Sequence, residues 1–474
     1  MFRLFSYLLL LGFVPSVLFA QPTPNLEAAG PLGNELFSHS GTTGMVMVVV
    51  QKDKVFIQGY GRMAPGSREV PTKDSVVRLC SLTKIFTTDL LTKLTLDHTV
   101  ALNDPLQKYA PLGLYVPDRS GEPITLLNLA THTAGLHREL GYPPEGMAHF
   151  TYPDYTLRWQ WLPKQQLRSK PGTVASYSNI GFDLLSDAME EAAHKPYATL
   201  LAERTLKPLR MWETTYYPTA AQCQRLMLSA QDNGACTVTA NTEGSSGLYS
   251  TPSDIVHWLK YLLGTGGPGF PVQPQQAQDA YLQPNQLVRV SGLNYAGDPS
   301  GLGLGWVHVL PKDDPSHIVE KTGGGAGYLT YIAIHPASHT AIFVAVTEGG
   351  RLPHVTHFNL FKASNKVLLE LAGAPQIPEK IDLPRGRQRR VRKALPDLPL
   401  RSSKHPQANT HVKPALPTAK SRTPQADTRT PHGKARAKSG KQHVQPALKA
   451  PRKTRQTPAH KATPQPKHAQ RKRK

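Results

Sequence analysis

The stretch Lys321-Thr322-Gly323-Gly324-Gly325-Ala326-Gly327-Tyr328-Leu329-Thr330-Tyr331-Ile332-Ala333-Ile334, continued by His335-Pro336-Ala337-Ser338-His339 and Thr340-Ala341-Ile342-Phe343-Val344-Ala345-Val346, decides the architecture. Its two runs of β-branched and aromatic residues, 328–334 and 340–346, flank a Pro- and Ser-bearing break, which predicts a β-hairpin. A counterpart lies near the other end of the chain: Gly44 to Tyr60 is rich in Val, Met, Ile and Phe around the polar turn Gln51-Lys52-Asp53-Lys54. Between these hairpins the chain reads helical. Leu82, Ile85, Phe86, Leu90 and Leu94 recur at helical spacing directly after Ser81. Thr251-Pro252-Ser253-Asp254 supplies a cap, a first-turn proline and an acidic residue ahead of Ile255, Trp258, Leu259 and Leu262. A last helix is predicted over 354–371, with Val355, Phe358, Leu360, Phe361, Val367 and Leu368 as its apolar set. No internal repeat is present. Strands at both ends with helices in the middle predict an α+β body, in which an antiparallel sheet unites the early and late parts of the chain. Helices would flank the sheet, a mainly helical subdomain would pack beside it, and a site would lie in the cleft between them.

The charge belongs to another part of the molecule. Of the 474 residues, those from Pro384 onward carry 26 Lys and Arg against only Asp397 and Asp427, a local +24 that exceeds the +22 of the whole chain. The body is therefore nearly neutral. The basic segment holds 13 prolines and no Phe, Trp or Tyr. It has too little apolar surface to offset the entropy of ordering it, so 379–474 is predicted to be a disordered Pro-rich basic tail and 21–378 the folded domain. At the other end, Arg3 and the apolar run Leu4 to Phe19, ending at Ala20, read as a signal peptide over 1–20. Retention as a membrane anchor is the alternative, against which Pro15 and the short length count. The expected location is the periplasm or the exterior, free or associated with the membrane.

Three cysteines occur. Cys223 and Cys236 lie close enough to close a small loop in an oxidising compartment and are predicted to form a disulfide. Cys80 is read as a small buried packing residue despite its position beside Ser81.

Ser81-Leu82-Thr83-Lys84 places a lysine one helical turn from a serine, on the same face, where the amine can reach the hydroxyl. Serine needs such a base, and donors for the oxyanion, to act as a nucleophile. Its place at the start of the predicted helix adds backbone N–H groups and a favourable dipole. Alone the spacing is weak, since about one such pair is expected by chance in a chain of this length. Two further elements follow in order. Tyr177-Ser178-Asn179, the only Tyr-x-Asn, comes 96 residues after Ser81; Lys321-Thr322-Gly323, the only Lys-Thr-Gly, comes 144 residues later and leads through glycines into the strand at Tyr328. Glycines let a backbone approach a ligand closely, and a lysine and threonine can hold a carboxylate. Three ordered elements make a strong joint signal. His132 and His137 lack metal-type spacing, and His132 is read as structural, placing its loop near the cleft. Gly244-Ser245-Ser246-Gly247 is read as a turn rather than a nucleophile elbow, because Leu248 stands where the second motif glycine is needed.

These residues resemble the serine β-lactamases of class C type and the low-molecular-weight penicillin-binding proteins, and within that group the AmpH-like D-alanyl-D-alanine carboxypeptidase/endopeptidases. The middle element favours this branch. Supporting stretches are Ser75-Val76-Val77-Arg78, Leu129-Ala130-Thr131-His132-Thr133-Ala134-Gly135-Leu136, Phe182-Asp183-Leu184-Leu185 and Lys321-Thr322-Gly323-Gly324-Gly325, and the resemblance spans roughly residues 25 to 375. It implies a β-lactamase/transpeptidase-like fold. It also implies that Ser81 is acylated with help from Lys84, that Tyr177 accepts and donates a proton, and that Asn179 binds the substrate amide. Lys321, Thr322 and Gly323 would engage the terminal carboxylate, and the backbone N–H groups of Ser81 and Gly324 would form the oxyanion hole. Whether Lys84 or Tyr177 is the base stays open at this level. No cofactor or metal is implied.

The expected activity is therefore that of a penicillin-binding serine DD-peptidase acting on peptidoglycan peptides through an acyl-enzyme, with β-lactams as further ligands. A class C-type β-lactamase or an esterase would use the same apparatus. An alternative of a different class makes the tail primary, with the body a binding module for an anionic envelope polymer or a membrane surface; the signal peptide argues against nucleic acid as the normal partner.

Overall fold

Runs such as Met45-Val46-Met47-Val48-Val49-Val50 lack the alternation of a half-exposed strand, and continuous apolar strands need cover on both faces. The structure, a computed structural model, describes residues 24–231, 234–348 and 358–378 and supplies that cover. Its main sheet has eight strands: β1 (Gly44–Gln51), β2 (Lys54–Gly61), β3 (Ala280–Leu282), β4 (Pro299–Gly303), β5 (Val307–Val309), β6 (Ile318–Gly325), β7 (Tyr328–His335) and β8 (Thr340–Thr347). They lie in the order β2-β1-β8-β7-β6-β5-β4-β3, each antiparallel to its neighbours. The early hairpin joins the late one where β1 pairs with β8, Gly44 opposite Thr347 and Gln51 opposite Thr340.

Side chains of the central strands alternate between two cores. Met45, Met47, Val49, Tyr331, Ala333, Ile342 and Val344 pack beneath the terminal helices α1 (Ala29–Ser40) and α5 (Leu360–Ala372). Val46, Val48, Val50, Ile332, Ile334 and Phe343 face the larger core with α2 (Thr83–Leu96), α3 (Asn179–Ala193) and α4 (Pro252–Leu263). Helix α2 is buried without interruption from Thr83 to Thr92. Its polar side chains are correspondingly paired: Thr88 Oγ1 donates to the Leu304 carbonyl at 2.7 Å, and Asp89 accepts from Tyr261 and Gln273.

Lys-Thr-Gly leads through its glycines into the strand at Tyr328, as expected, and is itself part of strand β6, with Lys321 opposite Ile332 and Gly323 opposite Thr330; the turn falls at Ala326-Gly327, both at positive φ. Residues 354–357 of the expected span of the last helix lie outside the described residues; its described part begins at Leu360, 358–359 being non-helical. Asn359 stops it there, its Oδ1 accepting the N–H groups of Phe361 and Lys362 at 3.0 and 3.1 Å. The signal-peptide and tail segments, 1–20 and 379–474, also lie outside the described residues. Cys223 and Cys236 are bridged, with Cα atoms 5.8 Å apart, and Cys80 is free and buried. No helix among the described residues is long and apolar enough to cross a membrane.

Candidate active site

Ser81 sits on a short turn, Cys80–Leu82, between a two-residue strand, Val77–Arg78, and helix α2. The strand pairs with Tyr249–Ser250, and the turn is held from two sides: Leu79 N–H donates to the Leu248 carbonyl at 2.8 Å, and Thr330 Oγ1 donates to the Leu79 carbonyl at 2.9 Å. Lys84 follows one turn along α2. Its Nζ lies 3.3 Å from Ser81 Oγ, 2.6 Å from Asn179 Oδ1 and 2.7 Å from the Ser245 carbonyl. The last two groups only accept, so two N–H bonds are committed to them and the third nitrogen site faces the serine. Burial lowers the lysine's pKa to about 7, against the opposing pull of Asp183 and Glu139.

Tyr177 reaches the same hydroxyl from another element. Its OH donates to Ser81 Oγ at 2.6 Å. The short strand Val174–Ser176 runs parallel to Arg289–Ser291, and Tyr177 N–H donates to the Ser291 carbonyl at 3.1 Å. His132 holds this segment three times: its carbonyl accepts from Ser176 N–H at 2.8 Å, its Nδ1 accepts from Ser178 N–H at 3.1 Å, and its ring stacks on Tyr177 with centroids 4.5 Å apart. Burial and the neighbouring cations hold its pKa well below the usual histidine value, so the ring is neutral. The structural reading of His132 thus acquires a specific object, the Tyr177 backbone and ring. Ser178 caps α3, its Oγ accepting from Gly181 N–H at 3.0 Å, which places Asn179 at the first helical position. The Asn179 amide is oriented by its neighbours, Oδ1 accepting from Lys84 Nζ and Nδ2 donating to the Glu139 carboxylate.

Strand β6 completes the arrangement. Pairing with β5 ends at Glu320, so from Lys321 onward one edge of β6 has no strand partner there. Lys321 is buried, with Nζ 5.0 Å from the centre of the Tyr177 ring, and burial lowers its pKa. Thr322 is half-buried, Gly323 buried and Gly324 exposed. A Cβ on Gly323 would stand 3.2 Å from Ser81 N and 3.1 Å from the Leu79 carbonyl and would overlap Thr330 Oγ1. Only glycine lets the strand pass so near the serine's backbone.

The structure therefore brings Ser81, Lys84, Tyr177, Asn179 and Lys321 into one cluster, with Thr322, Gly323 and Gly324 on the adjoining strand. It also adds residues that motif reading missed. Ser245, taken only as part of a turn, offers its carbonyl to Lys84 and its N–H to Asp183 Oδ1 at 2.9 Å. Asp183, one α-helical turn after Asn179, is fully buried, and burial raises its pKa to about 7 despite the Arg158 and Lys84 charges. Its position in α3, four residues beyond Asn179, was the one signal that could have found it. Arg138 places its guanidinium 4.7 Å from the centre of the Tyr177 ring, and its neighbour Glu139 holds Asn179.

Comparison with known proteins identifies relatives of the chain. The chain is 41% identical over 377 residues to the D-alanyl-D-alanine-carboxypeptidase/endopeptidase AmpH of Escherichia coli (strain K12), an alignment covering 78% of this chain and 96% of that protein. Among solved structures, a β-lactamase/D-alanine carboxypeptidase from Yersinia pestis, complexed with citrate, matches with a TM-score of 0.68 and 39% identity, covering 73% of this chain and 99% of that one. A class C β-lactamase from Rhodobacter sphaeroides shares the fold at a TM-score of 0.55 and 20% identity, covering 73% and 98% of the two chains. Residues 34–360 match the family described as Beta-lactamase, and the chain belongs to that family.

Proposed function

We propose that the chain is a penicillin-binding serine hydrolase, a D-alanyl-D-alanine carboxypeptidase/endopeptidase that cleaves peptidoglycan peptides through an acyl-enzyme on Ser81. The observation that carries this reading is that two proton carriers meet at one hydroxyl, Tyr177 OH at 2.6 Å and Lys84 Nζ at 3.3 Å from Ser81 Oγ. With its two other sites given to Asn179 and Ser245, neutral Lys84 presents its lone pair to the serine proton. Ser81 Oγ attacks the carbonyl as that proton passes to Lys84. Tyr177 gives its own proton to the departing amine, and the ammonium of Lys84 restores it. Between these steps the phenolate lies among Lys84, Lys321 and Arg138, whose charges offset it. Water then enters by the same route in reverse. Lys321 and Thr322, with the close backbone at Gly323, receive the leaving group's carboxylate; Asn179 holds the donor amide; the N–H groups of Ser81 and Gly324 take the oxyanion. Support for that last role is the close passage of β6 along the Ser81 backbone.

Intact-protein mass spectrometry after exposure to benzylpenicillin tests the assignment. The wild type gains one penicillin mass and Ser81→Ala gains none, while a D-alanyl-D-alanine peptide releases D-alanine only with the wild type. An undiminished adduct on Ser81→Ala would defeat the assignment. Rapid turnover of a chromogenic cephalosporin without peptide cleavage would favour the β-lactamase reading, which differs in deacylation rather than in apparatus.

We further propose export to the periplasm through 1–20, and retention at an anionic polymer or membrane surface through 379–474. The bridged Cys223–Cys236 pair supports an oxidising compartment, and the segregated basic charge supports retention.

A further inference from the structure

Three basic side chains converge on the ring of Tyr177. Lys84 Nζ lies 4.9 Å, Lys321 Nζ 5.0 Å and the guanidinium carbon of Arg138 4.7 Å from its centre. In the reaction proposed for Ser81, Lys84 carries a proton and Lys321 meets the leaving group's carboxylate. Arg138 does no more there than offset the phenolate's charge across the ring, and its N–H donors meet no reacting group.

Its surroundings leave the guanidinium open. The side chain is 57% exposed, and its ion pair is a 3.7 Å contact from Nε to Glu139 Oε1, beyond hydrogen-bond length. That same Glu139 oxygen accepts from Asn179 Nδ2. Among the described residues no hydrogen bond to the Arg138 guanidinium is found, although it offers five N–H donors in a planar fork. Its backbone, by contrast, is secured. The Arg138 carbonyl accepts from the N–H groups of Asn179 and Ile180 at 2.8 and 3.4 Å, which ties the residue to the first turn of α3. Arg138 therefore stands on the Asn179 side of Tyr177, where the acyl donor's amide is placed, whereas Lys321 and Thr322 sit on β6 with the leaving group.

We propose that Arg138 is a specificity-determining residue that binds a second carboxylate, carried on the acyl-donor portion of the substrate beside the reacting carbonyl. The inference rests on the Ser81 acyl-enzyme reading. A guanidinium pairs with a carboxylate through two parallel N–H bonds, which a neutral donor side chain does not accept equally well. Glu139 acts in the opposite sense. Its carboxylate, a few ångströms from the same guanidinium, repels an incoming acid and moderates the preference.

Benzylpenicillin and carbenicillin form a suitable probe pair, since their acyl side chains differ only by a carboxylate on the carbon next to the amide carbonyl. Acylation rate constants of the full chain are measured for both by intact-protein mass spectrometry, and the ratio of the two is the readout. The wild type favours carbenicillin by about threefold to tenfold, the range expected of a charge-assisted pair at a half-exposed site. Arg138→Gln brings the ratio to one or below, Arg138→Lys retains most of it, and Glu139→Gln raises it. A wild-type ratio at or below one, or a ratio unchanged in Arg138→Gln, overturns the inference and leaves the acyl-enzyme reading intact. Absence of adduct from both penicillins on the wild type overturns the acyl-enzyme reading and the inference together.

Discussion

Lys84 is buried among two acceptor-only oxygens and the serine it faces, so its protonation state determines what it can do. Burial brings its pKa down to about 7. As a base it must be neutral, and the neutral fraction grows as pH rises through that value. Acylation of Ser81 by benzylpenicillin is thus expected to climb about tenfold per pH unit below 7 and to level off above it. Stopped-flow acylation between pH 5.5 and 8.5 checks this, and a flat profile would remove Lys84 from the role of base. Lys84→Arg substitutes a cation that does not deprotonate in proteins, and a loss of about 10²- to 10⁴-fold is expected. His132 illustrates the complementary case: burial first, and the neighbouring basic groups second, hold its pKa well below the usual histidine value and keep its ring neutral, so its part is to hold the Tyr177 segment rather than to carry protons.

Among the elements, β6 shows how a strand can be built from residues that disfavour one. Lys321-Thr322-Gly323-Gly324-Gly325 has little intrinsic strand preference, and pairing with β7 imposes the conformation. The glycines are present for proximity. Gly323→Ala puts a methyl group 3.2 Å from Ser81 N and into Thr330 Oγ1, the group that holds the Leu79 carbonyl. Either the strand or the turn bearing Ser81 must shift. We expect at least tenfold slower acylation, with destabilisation of about 1–3 kcal/mol by thermal melting. Wild-type acylation in this variant would show that the close passage of β6 has no part in positioning the site.

On the scale of the whole molecule, charge and catalysis are segregated. The nearly neutral domain contains every residue proposed to act on substrate, while residues from Pro384 onward carry a net +24. Truncation after residue 378 should leave penicillin acylation and melting temperature unchanged, within about 2 °C. The same truncation should abolish binding to vesicles rich in anionic lipid, binding that the full chain shows at low salt and loses as added salt screens the charge. Equal vesicle binding by the two forms would sink the proposed retention role of the tail.

The sequence by itself determined the two hairpins, the helix after Ser81 and the order of the three motifs, because runs of β-branched and aromatic residues, helical spacing and turn residues are local properties. It also separated the basic tail from the body, since composition needs no structure to be read. Arg138, Glu139 and Ser245 became visible only in the tertiary structure. Their chemistry lies in contacts across the chain: Lys84 meets the Ser245 carbonyl 161 residues away, and Asn179 meets Glu139 from 40 residues away. The short strands β3, β4 and β5 were hidden for the same reason. Each has too few residues to establish a period, and the sheet that recruits them is assembled from both ends of the chain. Motifs thus named the residues proposed to act, and folding decided which neighbours set their charge, orientation and reach, because those depend on distances that no local pattern encodes.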